Sequence, residues 1–215
     1  MNITRTSVYL DYNATAPLRP QAREALLRAL ESPANPSSVH AAGRAARDIV
    51  ERARAEVGAL VGVPAGSVTF VSGGTEANAL AIESAKAAGV ARIVISAVEH
   101  DAGSETAKAC GLPVEVLPVD NNGVADLAWL AQALEKPGKT LVCLMLANNE
   151  TGVIQPVDKA SALVRAHDGW LHVDAVQAAG KIAIDFSGLG ADTMALSAHK
   201  LGGPQGVGAL VAGAR

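Results

Sequence analysis

Short, almost wholly apolar runs alternate with segments of helical period along the chain, and few architectures accept that order. The runs at 67–71, 92–97, 114–117, 140–146, 170–173, 192–196 and 206–211 have strand length. Their near-continuous apolar character predicts strands buried on both faces. Between them, 74–88, 102–109, 126–134 and 157–166 read as helices, preceded by helices at 21–30 and 41–61. The segment 41–61 repeats apolar residues at Ala46, Ile49, Val50, Ala53, Val57, Leu60 and Val61, close to a period of about 3.6 residues. Val8-Tyr9-Leu10 reads as a further short strand, and 32–38, rich in Pro, Asn and Ser, as a loop. This alternation predicts an α/β fold, a mainly parallel sheet with helices on both faces. With 49% hydrophobic but only 3% aromatic residues, helices and sheet should meet through small side chains. Residues 1–20 are less regular and read as an N-terminal arm, with 21–215 as one large domain.

The net charge of −3 favours neither nucleic acid nor an anionic membrane as a partner. No apolar run approaches the roughly 18 residues of a membrane span, and Met1-Asn2-Ile3-Thr4-Arg5 has no signal-peptide core. Cys110 and Cys143 make no disulfide framework, so a reducing cytoplasm is the simplest location. No metal site is expected.

Open α/β sheets bind ligands beyond the carboxyl ends of their strands, and the unusual polar residues of this chain gather there. Ser72-Gly73-Gly74-Thr75 opens a helix, where free N–H groups and the helix dipole suit an anion and Thr75 adds a hydroxyl. An ordinary capped turn explains the same residues. His100 follows the next strand, where it can stack on a flat ring and relay protons, or simply cap a helix. Ala147-Asn148-Asn149-Glu150-Thr151-Gly152 sets two amides and a carboxylate at the mouth of an apolar strand, although Asn and Gly alone spell a turn. Asp174 ends the run Trp170-Leu171-His172-Val173. A carboxylate there costs desolvation energy unless a cation such as a protonated pyridine nitrogen pairs with it. The alternative is an N-cap of a following helix. Gln177, one turn on, can reach a ring's phenolic oxygen.

Lys200 stands in Ser197-Ala198-His199-Lys200-Leu201-Gly202-Gly203-Pro204, leaving a buried-looking strand for a glycine-rich loop. An amine among apolar groups loses its proton more easily and becomes a nucleophile toward carbonyls. Ser197 and His199 can complete an anion cup. A phosphate cradle, a stacking group, a carboxylate and a nucleophilic amine together point to pyridoxal phosphate.

These stretches resemble the cysteine desulfurases, a branch of the class V aminotransferase group within fold-type I pyridoxal-phosphate enzymes. The resemblance is carried by Tyr9-Leu10-Asp11-Tyr12-Asn13-Ala14-Thr15-Ala16-Pro17, Asn35-Pro36-Ser37-Ser38-Val39-His40, Ser72-Gly73-Gly74-Thr75-Glu76-Ala77-Asn78 and Glu99-His100. It continues through Asn148-Asn149-Glu150-Thr151-Gly152-Val153-Ile154-Gln155-Pro156, His172-Val173-Asp174-Ala175-Val176-Gln177 and Ser197-Ala198-His199-Lys200. It implies a seven-stranded coenzyme-binding large domain whose Lys200 bonds the coenzyme aldehyde. Asp174 would pair with the pyridine nitrogen, Gln177 with the phenolic oxygen, and His100 would stack on the ring and move protons. Gly74, Thr75, Ser197 and His199 would hold the phosphate, and Asn149 would lie near the substrate carboxylate. The implied reaction turns L-cysteine into L-alanine and leaves sulfur as a persulfide on an enzyme cysteine, for iron–sulfur cluster or other cofactor assembly. The implied partners are a second copy of the chain, as a homodimer, and a sulfur-acceptor protein.

The family pattern continues for nearly as much sequence again, with the nucleophilic cysteine, a carboxylate-binding arginine and the small domain. The chain is therefore expected to be the coenzyme-binding half, without the C-terminal small domain, and neither Cys110 nor Cys143 matches the family nucleophile. A selenocysteine lyase, an aminotransferase of the same group, or a non-catalytic module that keeps the fold are the alternatives.

Overall fold

The apolar runs become β1 (Val68–Val71), β2 (Arg92–Ser96), β3 (Val114–Leu117), β4 (Thr140–Cys143), β5 (Trp170–Asp174), β6 (Thr193–Ser197) and β7 (Gly208–Ala212). Around them lie α1 (Pro20–Leu30), α2 (Ala41–Val61), α3 (Gly74–Ala87), α4 (Asp101–Ala109), α5 (Leu127–Leu134), α6 (Val157–Ala166) and α7 (Phe186–Leu189). This is a computed structural model, and it describes residues 8–31 and 34–213. The strands form one sheet in the order β1-β7-β6-β5-β4-β2-β3. The pairs from β3 through β6 are parallel, whereas β7 is antiparallel to both β1 and β6. Because β7 reverses against both neighbours, β1 points the same way as the parallel set. The carboxyl ends of β1, β2, β4, β5 and β6 therefore share one edge.

Side chains alternate between the two faces, as the strand period of two requires. Ile93 and Ile95 pack with Ile82 and Ala85 of α3 and Ala107 of α4. Val94, between them, faces the opposite layer with Leu130 of α5 and Val164 of α6. Small residues do bring helix and sheet close: Ala77 and Ala81 of α3 meet Ala195 and Leu210. Each fully buried Leu, Ile or Val contributes about 1.5–3 kcal/mol, so helices on both faces are what makes an apolar run such as Ile93-Val94-Ile95 of β2 stable.

Several expectations fail for identifiable reasons. Val8-Tyr9-Leu10 forms no strand; Val8 and Leu10 are 75% and 83% exposed and have no ladder partner. The strand expected over 140–146 ends at Cys143. Leu144 and Leu146 still donate to the carbonyls of His172 (3.1 Å) and Asp174 (2.8 Å), but the Met145 N–H turns to the Glu99 carboxylate. No helix follows Asp174: residues 176–181 form turns, so the N-cap alternative is excluded. The four-residue α7 and the 3-10 turns Ala65–Ser67 and Ala198–Lys200 are too short to show a period in sequence. Of the loop expected over 32–38, Ser32 and Pro33 lie outside the described residues, as do residues 1–7 of the expected arm. No helix among the described residues is long and apolar enough to cross a membrane.

Candidate active site

The strand-end loops converge on a cavity of about 240 Å³. Gly74, Thr75, His100, Asn149, Asp174, Gln177, Ser197, His199 and Lys200 all line it. Every site residue expected from the sequence is therefore in one place, and Asn78, Met145 and Val176 help to complete the wall.

The turn after β1 closes one end of the cavity. The first N–H groups of α3 have no acceptor within the helix, and its positive dipole end falls at Gly74 and Thr75, which suits a phosphate. Glu76 fastens the turn by accepting the Ser72 N–H at 2.6 Å. A Cβ on Gly74 would lie 2.7 Å from Val176 Cγ2. Behind the turn, a Cβ on Gly208 would lie 2.6 Å from Gly73 Cα and 2.7 Å from the Leu196 carbonyl oxygen. Both obstacles are backbone, and the β7 ladder pins one of them. Gly208→Ala is accordingly expected to cost about 2–3 kcal/mol of stability and to weaken binding of inorganic phosphate. Urea unfolding and a phosphate titration read the two effects; an unchanged urea midpoint would mean that the turn yields freely.

Asp174 and His172 lie two residues apart on β5 and so share a face. Asn78 of α3 joins them, Nδ2 donating to Asp174 Oδ2 at 2.7 Å and Oδ1 meeting His172 Nε2 at 2.9 Å. His172 Nδ1 meets Thr193 Oγ1 at 2.8 Å, and the Val176 N–H donates to Asp174 Oδ1 at 2.9 Å. An amide that donates to a carboxylate presents its oxygen to the histidine. His172 therefore carries its proton on Nε2 and accepts the Thr193 hydroxyl proton at Nδ1. Burial pushes the imidazole down to about 4, so the ring is neutral. Burial pushes the Asp174 carboxyl up, opposed by Asn78, the Val176 N–H and then the charges of His100 and Lys200. The chain alone does not fully compensate this carboxylate. A cationic nitrogen of a ligand in the cavity would do so.

Lys200 ends the 3-10 turn after β6, where its ammonium donates to the carbonyls of Asn13 (2.7 Å) and Ala14 (2.9 Å). Burial pushes its pKa down, opposed by Asp11 and Asp174, which favours the free amine that attack on a carbonyl needs. His199 Nδ1 meets Thr15 Oγ1 at 3.1 Å, which leaves Nε2 for a ligand. His100 caps a helix and also faces the cavity. Its Nδ1 caps α4 by accepting the Ala102 N–H at 3.0 Å, and its ring still lines the cavity. The two asparagines of the β4 loop divide the work. Asn148 Oδ1 accepts from the Glu150 and Thr151 N–H groups, both at 2.9 Å, and so builds the turn, while Asn149 lines the cavity.

Sequence reasoning assigned no role to Asn78, His172, Asn13 or Lys181. For Asn78 and His172 a signal existed, a polar residue within an alanine-rich helix and within an apolar strand, and both are 2% exposed. Asn13 stands out only as part of a matching stretch, its partners Gln177 and Lys181 lying far along the chain, and Lys181, although four residues from Gln177, reads as an ordinary surface lysine.

The family described as Aminotransferase class-V matches residues 8–214 of this chain. The chain belongs to the class-V aminotransferase family. A cysteine desulfurase of Cereibacter sphaeroides is 46% identical over 94% of this class-V chain and 54% of its own length. The crystal structure of a NifS-like protein from Rickettsia africae superimposes with a TM-score of 0.89 at 34% identity, covering 96% of this chain and 58% of that one. SspA in complex with cysteine gives a TM-score of 0.90 at 28% identity, covering 96% and 61%. The class-V chain spans about half the length of the curated relatives it matches. Its two cysteines are both buried. Burial pushes the Cys143 thiol well up, and neither cysteine lines the cavity.

Proposed function

We propose that this chain is the coenzyme-binding half of a cysteine desulfurase that takes pyridoxal 5'-phosphate and L-cysteine. The observation that carries the reading is a half-buried amine, Lys200, and a buried carboxylate, Asp174, lining one cavity with the N-terminus of α3. That set fits the coenzyme: Asp174 is a carboxylate short of a cation, Lys200 an amine with a lowered pKa, and the α3 terminus an anion site. The similarity to cysteine desulfurases and to a structure solved with cysteine supports the choice of substrate.

When bound, pyridoxal phosphate supplies an aldehyde and an electron-withdrawing ring that stabilises negative charge on a substrate carbon. The residues that would hold it are Asp174 at the ring nitrogen, Gln177 at the phenolic oxygen, His100 on the ring face, and Gly74, Thr75, Ser197 and His199 at the phosphate. Asn149 would orient the substrate carboxylate. Lys200 Nζ would be the amine that holds the coenzyme's aldehyde and, when free, the base nearest to accept a substrate Cα proton, with His100 Nε2 as a second proton carrier. In the whole enzyme, L-cysteine becomes L-alanine as its sulfur passes to a thiol and makes a persulfide. Cys110 and Cys143 are too buried to be that thiol. A homodimer in the cytoplasm, an arm at 1–20, a coenzyme-binding domain at 21–215 and transfer to a sulfur-acceptor protein complete the reading.

Incubation with pyridoxal phosphate followed by borohydride reduction is expected to leave a pyridoxyl group on the peptide containing Lys200. Lys200→Ala should lose the visible absorbance band entirely. A label scattered over surface lysines, or a band that survives Lys200→Ala, would overturn the assignment.

A further inference from the structure

One cation beside the cavity has no place in the scheme above. Lys181, in the turn after β5, donates from Nζ to Gln177 Oε1 at 2.6 Å and to Asn13 Oδ1 at 2.8 Å. An ammonium has donors only, so both carboxamides must turn their oxygens toward it and their NH2 groups away. The remaining contacts agree. Gln177 Nε2 donates to the Asn13 carbonyl at 2.9 Å, and Asn13 Nδ2 donates to the Asn149 carbonyl at 2.9 Å. Asn13 thereby ties the segment before α1 to the two loops that carry Gln177 and Asn149. Its main-chain carbonyl also receives Lys200 Nζ at 2.7 Å.

We infer that Lys181 is a positioning residue, whose ammonium fixes the Gln177 carboxamide so that it offers N–H and not C=O to a ligand in the cavity. Without that cation only the Asn13 carbonyl, which accepts from Nε2, holds the Gln177 amide, and the flipped orientation, which presents an acceptor to the anionic oxygen of the ring, becomes more accessible. Gln177 is 8% exposed, so the wrong orientation would leave a buried mismatch in the cavity wall. Lys181 is itself exposed, and its replacement does not open the core. The charged group that acts on Lys181 is Lys200, which in turn faces Asp11 and Asp174.

The inference rests on the proposed coenzyme only for the second of two readouts. In the protein alone, nitrogen-15 NMR of glutamine side chains, assigned with Gln177→Leu, should show a slowly exchanging Gln177 amide. Lys181→Met should speed that exchange about 10-fold, the equivalent of one hydrogen bond, and Lys181→Arg should restore it. With pyridoxal phosphate added, Lys181→Met should raise the pH midpoint of the visible band by about one unit. The reason is that a phenolic oxygen deprived of a donor becomes more basic and holds the adjoining proton to higher pH. In a Gln177→Leu background the same substitution should produce no further shift. Unchanged amide exchange in Lys181→Met overturns the inference, as does a midpoint shift that persists in full without Gln177. A wild-type chain that gives no visible band would refute the coenzyme reading, and the amide exchange would still decide the role of Lys181.

Discussion

Asp174→Asn is expected to raise the Kd for pyridoxal phosphate about 100-fold, the weight of one buried charge-assisted hydrogen bond of roughly 2.7 kcal/mol. The same substitution should leave the coenzyme-free fold at least as stable as before. The two readouts part because the carboxylate is a burden to the chain by itself. Burial raises its pKa, and the compensation from Asn78 and the Val176 N–H is incomplete. Asparagine keeps an oxygen to accept from Val176 or Asn78 and removes the buried charge. Such a group persists when it serves a ligand rather than the fold. Absorbance titration measures the affinity, and thermal unfolding without coenzyme measures the stability. An unchanged Kd would remove Asp174 from the site; a large loss of stability would make it a structural residue.

Glu99→Gln and His172→Gln are expected to give stability–pH profiles of opposite slope between pH 4.5 and 6.5. His172 is pushed down from 6.5 to about 4 by burial. As pH falls below 6.5 the unfolded chain gains a proton that the fold refuses, so this group makes the fold less stable toward acid. Glu99 is pushed up from 4.5 to about 8, first by burial of its carboxyl and then by Asp174. The residue is half-exposed as a whole, but its carboxyl turns inward onto the Met145 N–H. Between 4.5 and 8 the fold holds a proton that the unfolded chain has lost, so this group makes the fold more stable toward acid. In the wild-type chain the two slopes cancel over their shared window. Glu99→Gln keeps the acceptor for Met145 and exposes the histidine slope, a loss of about 2 kcal/mol from pH 6.5 to 4.5. His172→Gln exposes the glutamate slope, a gain of similar size. Asp174 titrates in both variants, so it drops out of their difference. Urea unfolding across this range provides the test, and parallel profiles would mean that one of the two groups is hydrated.

Much of the architecture was legible because burial on both faces leaves its mark on composition. A run such as Ile93-Val94-Ile95 has no polar side to offer water, and only helices on both faces can cover it. The cavity residues were legible because each is chemically odd for its place: an aspartate closing an apolar strand, a lysine entering glycines, a glycine pair before a helix. The errors came where a segment's partner decides its state. Val8-Tyr9-Leu10 has strand composition but no ladder to join, and the apolar run beyond Cys143 leaves the ladder because Glu99 captures the Met145 N–H.

Local chemistry along the chain determined that the protein is an α/β sheet with a coenzyme-like set of groups at its strand ends, because periodicity and misplaced polarity are properties of neighbouring residues. Only the tertiary structure decided which groups act on one another. Asn78 couples His172 to Asp174, and Asn13, far upstream, joins Gln177 and Lys181 to Asn149. Hydrogen bonds are short and directional, and residues more than 90 positions apart in sequence acquire them only when the sheet has brought their strands and loops together.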